Sequence, residues 1–129
     1  LFKPNLKELK EGLNIDIDPS NTKEVEAAID QLNENQQNKI NFITLSEYGV
    51  LIKSDTDKKQ ISAHIRSIAD VSGAGDTVIS VASLCLALNQ SIAMIAEIAN
   101  LSGGLVCESV GVVPIDKDQL LSEAIANLI

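Results

Sequence analysis

The chain has 129 residues, 45% of them hydrophobic and only 2% aromatic, with a formal charge of −8. That length fits one domain with a sizeable core, and Ile, Leu, Val and Ala must build it, which suits layered sheet and helix better than an all-β sandwich. The acidic balance argues against non-specific binding to nucleic acid or to acidic membranes, although backbone N–H groups can still hold a phosphate on an acidic protein.

Leu1-Phe2 reads as the end of a strand, stopped by Pro4, and Asn5 caps a short helix for which Gly12 is the expected C-cap. Residues 14–20 are rich in turn formers. Asn21 or Thr22 caps a second helix, with Val25, Ala28, Ile29 and Leu32 on its apolar stripe and a polar exit loop at 33–38. Residues 40–45 read as a strand buried on both faces, 49–53 as its hairpin partner, and 59–65 as a third, more polar strand. A glycine-rich turn at 72–75 then opens a helix to about Leu88, and a second apolar helix runs from about Ser91 to Cys107. Both are hydrophobic nearly all round, so both are expected inside. After a loop at 109–114, a last helix over 117–128 carries Leu120, Leu121, Ala124, Ile125 and Leu128 on one face.

This order predicts an α/β layer architecture. The strands are few, and the start at Leu1 lacks Met, so the chain is expected to be a fragment of a longer protein with part of its sheet elsewhere. Cys85 and Cys107 stand in apolar segments without Cys-x-x-Cys spacing, which predicts two buried thiols and a reducing, cytoplasmic setting. There is no leader pattern and no run long enough to span a membrane.

Ser72-Gly73-Ala74-Gly75-Asp76-Thr77 is the strongest candidate site. Small residues admit a ligand close to the backbone, and the first N–H groups of the following helix, with its dipole, favour an anion there. A carboxylate at Asp76 either stabilises the helix start or takes a proton. Phosphoryl transfer to a hydroxyl needs donors for the γ-phosphate and a base beside the attacking oxygen. The third glycine of a dinucleotide fingerprint is missing, and no glycine turn ends in Gly-Lys-Ser/Thr. Lys3-Pro4-Asn5-Leu6-Lys7-Glu8 reads either as a capping box or as a place where Asn5 and Glu8 organise Mg²⁺, its waters and phosphates. Thr44-Leu45-Ser46-Glu47-Tyr48-Gly49 is a strand end entering a tight turn, either a plain hairpin or a ligand edge of the kind found at the carboxyl ends of strands.

Lys-Pro-Asn-x-x-Glu, then Thr-Leu-x-x-x-Gly, then Asp-x-x-Gly-Ala-Gly-Asp, in this order, resemble the C-terminal half of PfkB/ribokinase-type carbohydrate kinases over essentially the whole chain. The resemblance implies a ribokinase-like α/β fold, ATP and Mg²⁺ as cofactors, and a sugar or sugar phosphate as substrate. It implies Asp76 as the catalytic base, Gly73, Ala74 and Gly75 as the anion hole, and Asn5 and Glu8 near the nucleotide phosphates, with Glu8 reaching Mg²⁺ through water. Thr44, Ser46 and Gly49 would line the nucleotide site, and Asn100 matches a position that contacts the base. Asp70 and Ser72, with the loop 109–114, match a region that binds a monovalent cation, potassium, in some members. Ser46 stands where the family has glycine, and Ser72 where threonine is commoner. Asp76-Thr77-Val78-Ile79, the stretch 99–106 and Gly111 are similar to the heptose 7-phosphate kinase branch, which makes an ADP-heptose precursor of lipopolysaccharide. The sugar site of such kinases comes mostly from the N-terminal half, so the isolated chain is expected to be inactive and to associate, as a homodimer or with that half, through an open strand edge.

Of the remaining residues, His64 reads as an exposed or satisfied strand histidine. Glu24, Glu26 and Asp30 read as a solvated helix face, and Arg66 as either a surface residue or a phosphate contact.

Overall fold

The computed structural model of the chain describes residues 1–64 and 66–129. Helix α1 (Leu6–Leu13) starts at a complete capping box: the Glu8 N–H donates to Asn5 Oδ1 and the Asn5 N–H to Glu8 Oε2, both at 2.8 Å. The helix does not stop at Gly12. Leu9 is buried and Leu6 and Leu13 are partly so, and this apolar spacing carries the helix one residue further, to a left-handed Asn14 cap. Helix α2 (Thr22–Gln36), capped by Asn21, also outlasts its expected end, because the left-handed Gln37 closes it by donating to the Asn33 carbonyl.

Strands β1 (Ile40–Thr44), β2 (Val50–Ser54) and β3 (Lys58–Ile61) form an antiparallel sheet in the order β1-β2-β3. A short 3₁₀ turn (Ser46–Tyr48) joins the first two. The third strand is shorter than expected: residues 62–64 leave it, and Ile65 lies outside the described residues. The segment before α1 runs parallel to β1, with Phe2 donating to the Ile40 carbonyl and accepting from the Phe42 N–H, at 2.9 and 2.8 Å. That bears out Leu1-Phe2 as a strand end.

The sheet buries both faces. Ile43, Leu45 and Leu51 pack with Leu9, Ile17, Val25, Ile29 and Leu32 under α1 and α2. Phe42, Val50, Ile52 and Ile61 point the other way, onto α3 (Ala74–Ala87) and α4 (Ile92–Val106). Asn41 is buried too, and its amide is satisfied by Asn33 and Asn38 at 2.8 and 3.1 Å. Helix α4 is interior as expected, but α3 is not: its inner side buries Val78, Val81, Ala82 and Cys85, while Leu84 and Leu88 are 65% and 70% exposed. Helix α5 (Lys117–Leu128) buries no residue fully, and Leu121 and Ile125 of its apolar face are exposed. All-round apolarity reports composition, whereas burial depends on which neighbour arrives.

Glu26 and Asp30 are not merely solvated; they pair with Lys58 and Lys53 at 2.9 and 2.6 Å and tie α2 to the sheet. Both cysteines are free and buried, and burial pushes their thiols up. No described helix is long and apolar enough to cross a membrane.

Candidate active site

The parallel pairing of residues 1–5 with β1 sets the start of α1 opposite the start of α3. Between them lies a cleft of about 560 Å³. From one side Lys3, Asn5 and Glu8 line it, and from the other Gly73, Gly75 and Asp76, with Leu1, Phe2 and Ile79 as apolar wall. Residues separated by more than half the chain thus face one another.

Gly73 is the N-cap of α3 at φ 76°, a left-handed conformation that suits glycine, and it offers no side chain to cap the helix. The Ala74 N–H donates to the Val71 carbonyl at 3.3 Å. Among the described residues, the N–H groups of Gly75 and Asp76 find no acceptor, and neither does a donor reach the exposed Asp76 carboxylate. Asp76 is therefore not a capping residue held by the helix it begins. Asp76 lines the cleft, beside backbone donors at the positive end of the helix dipole.

Lys3 was given no role by its sequence. A Cβ on Gly75 would lie 3.8 Å from its Nζ, so the ammonium stands over the glycine turn. Its signal was weak: one lysine before Pro-Asn, far along the chain from the turn it reaches. Asn5 and Glu8 are engaged with each other through the capping box, which fixes both side chains at the cleft wall.

The turn after β1 forms a second cluster. Thr44 stands beside Asn5, its N–H donating to the Pro4 carbonyl at 3.3 Å. Ser46 sits at φ 55°, which explains why glycine is usual there. Gly49, at φ 85°, packs so closely that an added Cβ would lie 1.9 Å from the Ile61 carbonyl oxygen. The Asn100 Nδ2 donates to the neighbouring Ser62 carbonyl at 3.1 Å. Thr44, Ser46, Gly49 and Asn100 thus border the strand ends beside the cleft rather than lining it.

A third cluster holds the glycine turn from behind. The Asp70 carboxylate accepts from the Ser72 N–H and Oγ, at 2.9 and 2.7 Å, and from the Gly111 N–H at 2.9 Å. The Ser72 hydroxyl, then the backbone donors, hold the Asp70 carboxyl down at about 2. Asp70, Ser72 and the 109–114 loop are therefore together, as the resemblance implies, and the carboxylate's bonds close the loop onto the turn. Among the described residues no group of three or more His, Cys, Asp or Glu converges as a metal cage.

Two sequence expectations fail here. Arg66 is neither at the cleft nor on the surface: its side chain is 10% exposed and pairs with Glu108 and Glu123. His64 is neither exposed nor in a strand. It is half-buried, and its Nε2 has no partner among the described residues.

The model of the family "pfkB family carbohydrate kinase" matches residues 1–118. The bifunctional protein HldE of Campylobacter fetus is 35% identical over 111 residues, 86% of this chain and 24% of that protein. HldE of Koribacter versatilis is 35% identical over 127 residues, 98% of this chain and 26% of that protein. The chain spans about a quarter of the length of these curated relatives. Among solved structures, phosphofructokinase-2 from Escherichia coli, in complex with substrates and products, superimposes with TM-score 0.83 at 22% identity, over 93% of this chain and 38% of that one. The same enzyme has been solved with potassium. Ribokinase from Thermotoga maritima matches with TM-score 0.78 at 18% identity, over 97% of this chain and 41% of that one. The ribokinase-like α/β fold is borne out.

Proposed function

Because the chain belongs to the pfkB family of carbohydrate kinases, we propose that it carries the nucleotide side and the base of an ATP-dependent kinase acting on a heptose phosphate. The observation that carries this reading is the Asp76 carboxylate, unbonded among the described residues, in one cleft with the open Gly75 N–H and the Lys3 ammonium.

Each group has a part in phosphoryl transfer. Asp76 accepts the proton of the attacking sugar hydroxyl, whose oxygen bonds the γ-phosphorus as the bond from that phosphorus to the β,γ-bridging oxygen breaks and ADP leaves. The N–H groups at the start of α3 donate to the charge that builds on the transferring phosphoryl oxygens. Lys3, from the opposite wall, reaches over Gly75 and adds a positive charge beside these donors. These donors are fixed by the fold before substrate arrives, so no reorganisation is needed when charge develops. Asn5 and Glu8 stand across the cleft as hydrogen-bonding and anionic groups. With one carboxylate on that wall and no cage among the described residues, the site fits Mg²⁺ held mainly by water and phosphate oxygens, where Glu8 would bond through water. The ion, when bound, neutralises phosphate charge. Potassium, if bound, would be held in the region of Asp70, Ser72 and the 109–114 loop, which the Asp70 hydrogen bonds bring together.

Heptose 7-phosphate is favoured by the HldE relatives and by Thr77-Val78-Ile79 after the base. The product would feed ADP-heptose and lipopolysaccharide synthesis in the cytoplasm. The rest of the sugar site would come from a preceding half of the same kinase, joined at the strand edge formed by residues 1–3. The full-length protein should be assayed for ATP consumption with heptose 7-phosphate, fructose 6-phosphate and ribose. Turnover with the heptose phosphate at least about a hundredfold above the others in kcat/KM is expected. Preference for another sugar overturns the substrate, and ATP binding without transfer to any sugar overturns the kinase reading in favour of a nucleotide-binding module.

A further inference from the structure

Arg66 joins three segments that the chain brings together late. Its Nη1 donates to Glu108 Oε1 at 2.9 Å, just past the end of α4, and its Nη2 to Glu123 Oε2 at 3.0 Å on α5. The guanidinium lies across α4 at Gly104, where an added Cβ would sit 3.2 Å from Nε. A charge this buried is costly to hold, and Arg66 is not among the residues that line the cleft.

What lies between Arg66 and the cleft gives it a purpose. From Arg66 onward the chain is bound, rung after rung, to the stretch that begins at Cys107. Ala69 and Asp70 donate to the Cys107 carbonyl at 2.8 and 3.2 Å. Gly111 donates to Asp70, and Val112 Cγ1 would stand 2.9 Å from a Cβ on Gly73, so the Val112 side chain rests on the glycine turn itself. Glu108 sits within this ladder, between Cys107 and Gly111, whereas Glu123 sits outside it on α5.

We propose that Arg66 is a positioning residue for the glycine turn, acting through Glu108 to hold the 107–112 stretch against residues 69–73. The Glu123 arm only docks α5. The catalytic part of this statement rests on the kinase reading above, but the structural part does not.

The two arms separate the roles, since each can be cut without stranding the arginine. Glu108→Gln and Glu123→Gln each remove one charge–charge contact and leave the other. In the full-length protein, Glu108→Gln is expected to speed amide exchange at Gly111 by about tenfold or more. It should also lower kcat by about ten- to a hundredfold with KM for the sugar little changed, because the donors and Asp76 lose their alignment. Glu123→Gln should leave Gly111 exchange and kcat within about twofold. Arg66→Lys, which can reach one carboxylate but not fork between two, should fall between. Equal effects of the two glutamine variants, or an unaltered Gly111 amide in Glu108→Gln, overturn the proposal. If the parent protein transfers no phosphoryl group, the kinase reading falls, and the exchange rates alone decide the positioning role.

Discussion

Gly49 offers a clean separation of backbone strain from steric overlap. At φ 85° it occupies a conformation that L-residues rarely adopt, and an added Cβ would lie 1.9 Å from Ile61 O and 2.7 Å from both Ala63 N and Ser62 C. All three are backbone atoms, so no side chain can swing aside. A carbon beside a carbonyl oxygen needs about 3.3 Å, so the turn and the end of β3 must part by roughly 1.4 Å. Gly49→Ala should therefore cost about 1–3 kcal/mol in backbone strain and about 1–3 kcal/mol in overpacking. Gly111, at φ 80° with nothing within 4 Å, carries the strain alone. Gly12, inside α1 and equally open, carries neither, and alanine there should stabilise by about 0.5–1 kcal/mol. Urea unfolding followed by far-UV circular dichroism should order the midpoints Gly12→Ala, parent, Gly111→Ala, Gly49→Ala, from high to low, at a constant m-value. If Gly49→Ala is no worse than Gly111→Ala, the close approach to β3 is wrong.

Ser46 holds a left-handed φ of 55° with a side chain attached. Ser46→Gly should relieve about 1 kcal/mol of that strain, less what the freer unfolded chain takes back, and a lowered midpoint would refute it. Asp70 gives a pH prediction. Its carboxyl lies at about 2 in the fold against an ordinary 3.8, so its contribution is present above the ordinary value and is lost as pH falls through about 2. The Gly111 amide, followed by NMR, should keep its bonded shift at pH 4 and lose it only on approaching pH 2. Loss centred near the ordinary carboxylate value would contradict the bond network.

What the sequence disclosed was local. The Asn5–Glu8 capping box, the Asn21 cap and the glycine turn each depend on residues a few positions apart, and all formed as expected. Capping was the bland reading for Asn5 and Glu8, and it is true without displacing the other, since the same bonds fix both at the cleft. For Asp76 both readings stay open: Gly73, not Asp76, is the cap and no donor reaches the carboxylate among the described residues, but a first-turn carboxylate also stabilises the helix start through the dipole. What stayed hidden depended on distant partners. Arg66 finds Glu108 and Glu123 at separations of 42 and 57 residues, and no spacing rule predicts them. Lys3 reaches the glycine turn only because residues 1–5 lie along β1. The outer face of α3 was misread for the same reason: apolar periodicity names a residue fit for burial, not the surface that would bury it.

Asp76, in the first turn of α3, acts as a base if its charge does more than steady the helix start. The direct measurement is the Asp76→Asn substitution in the full-length protein, with ATP binding by calorimetry and phosphoryl transfer by single-turnover kinetics. Asparagine keeps the shape and cannot take the proton. ATP affinity should stay within a few-fold of the parent, and transfer should slow by about a hundred- to ten-thousand-fold. Transfer at the parental rate would contradict the base role.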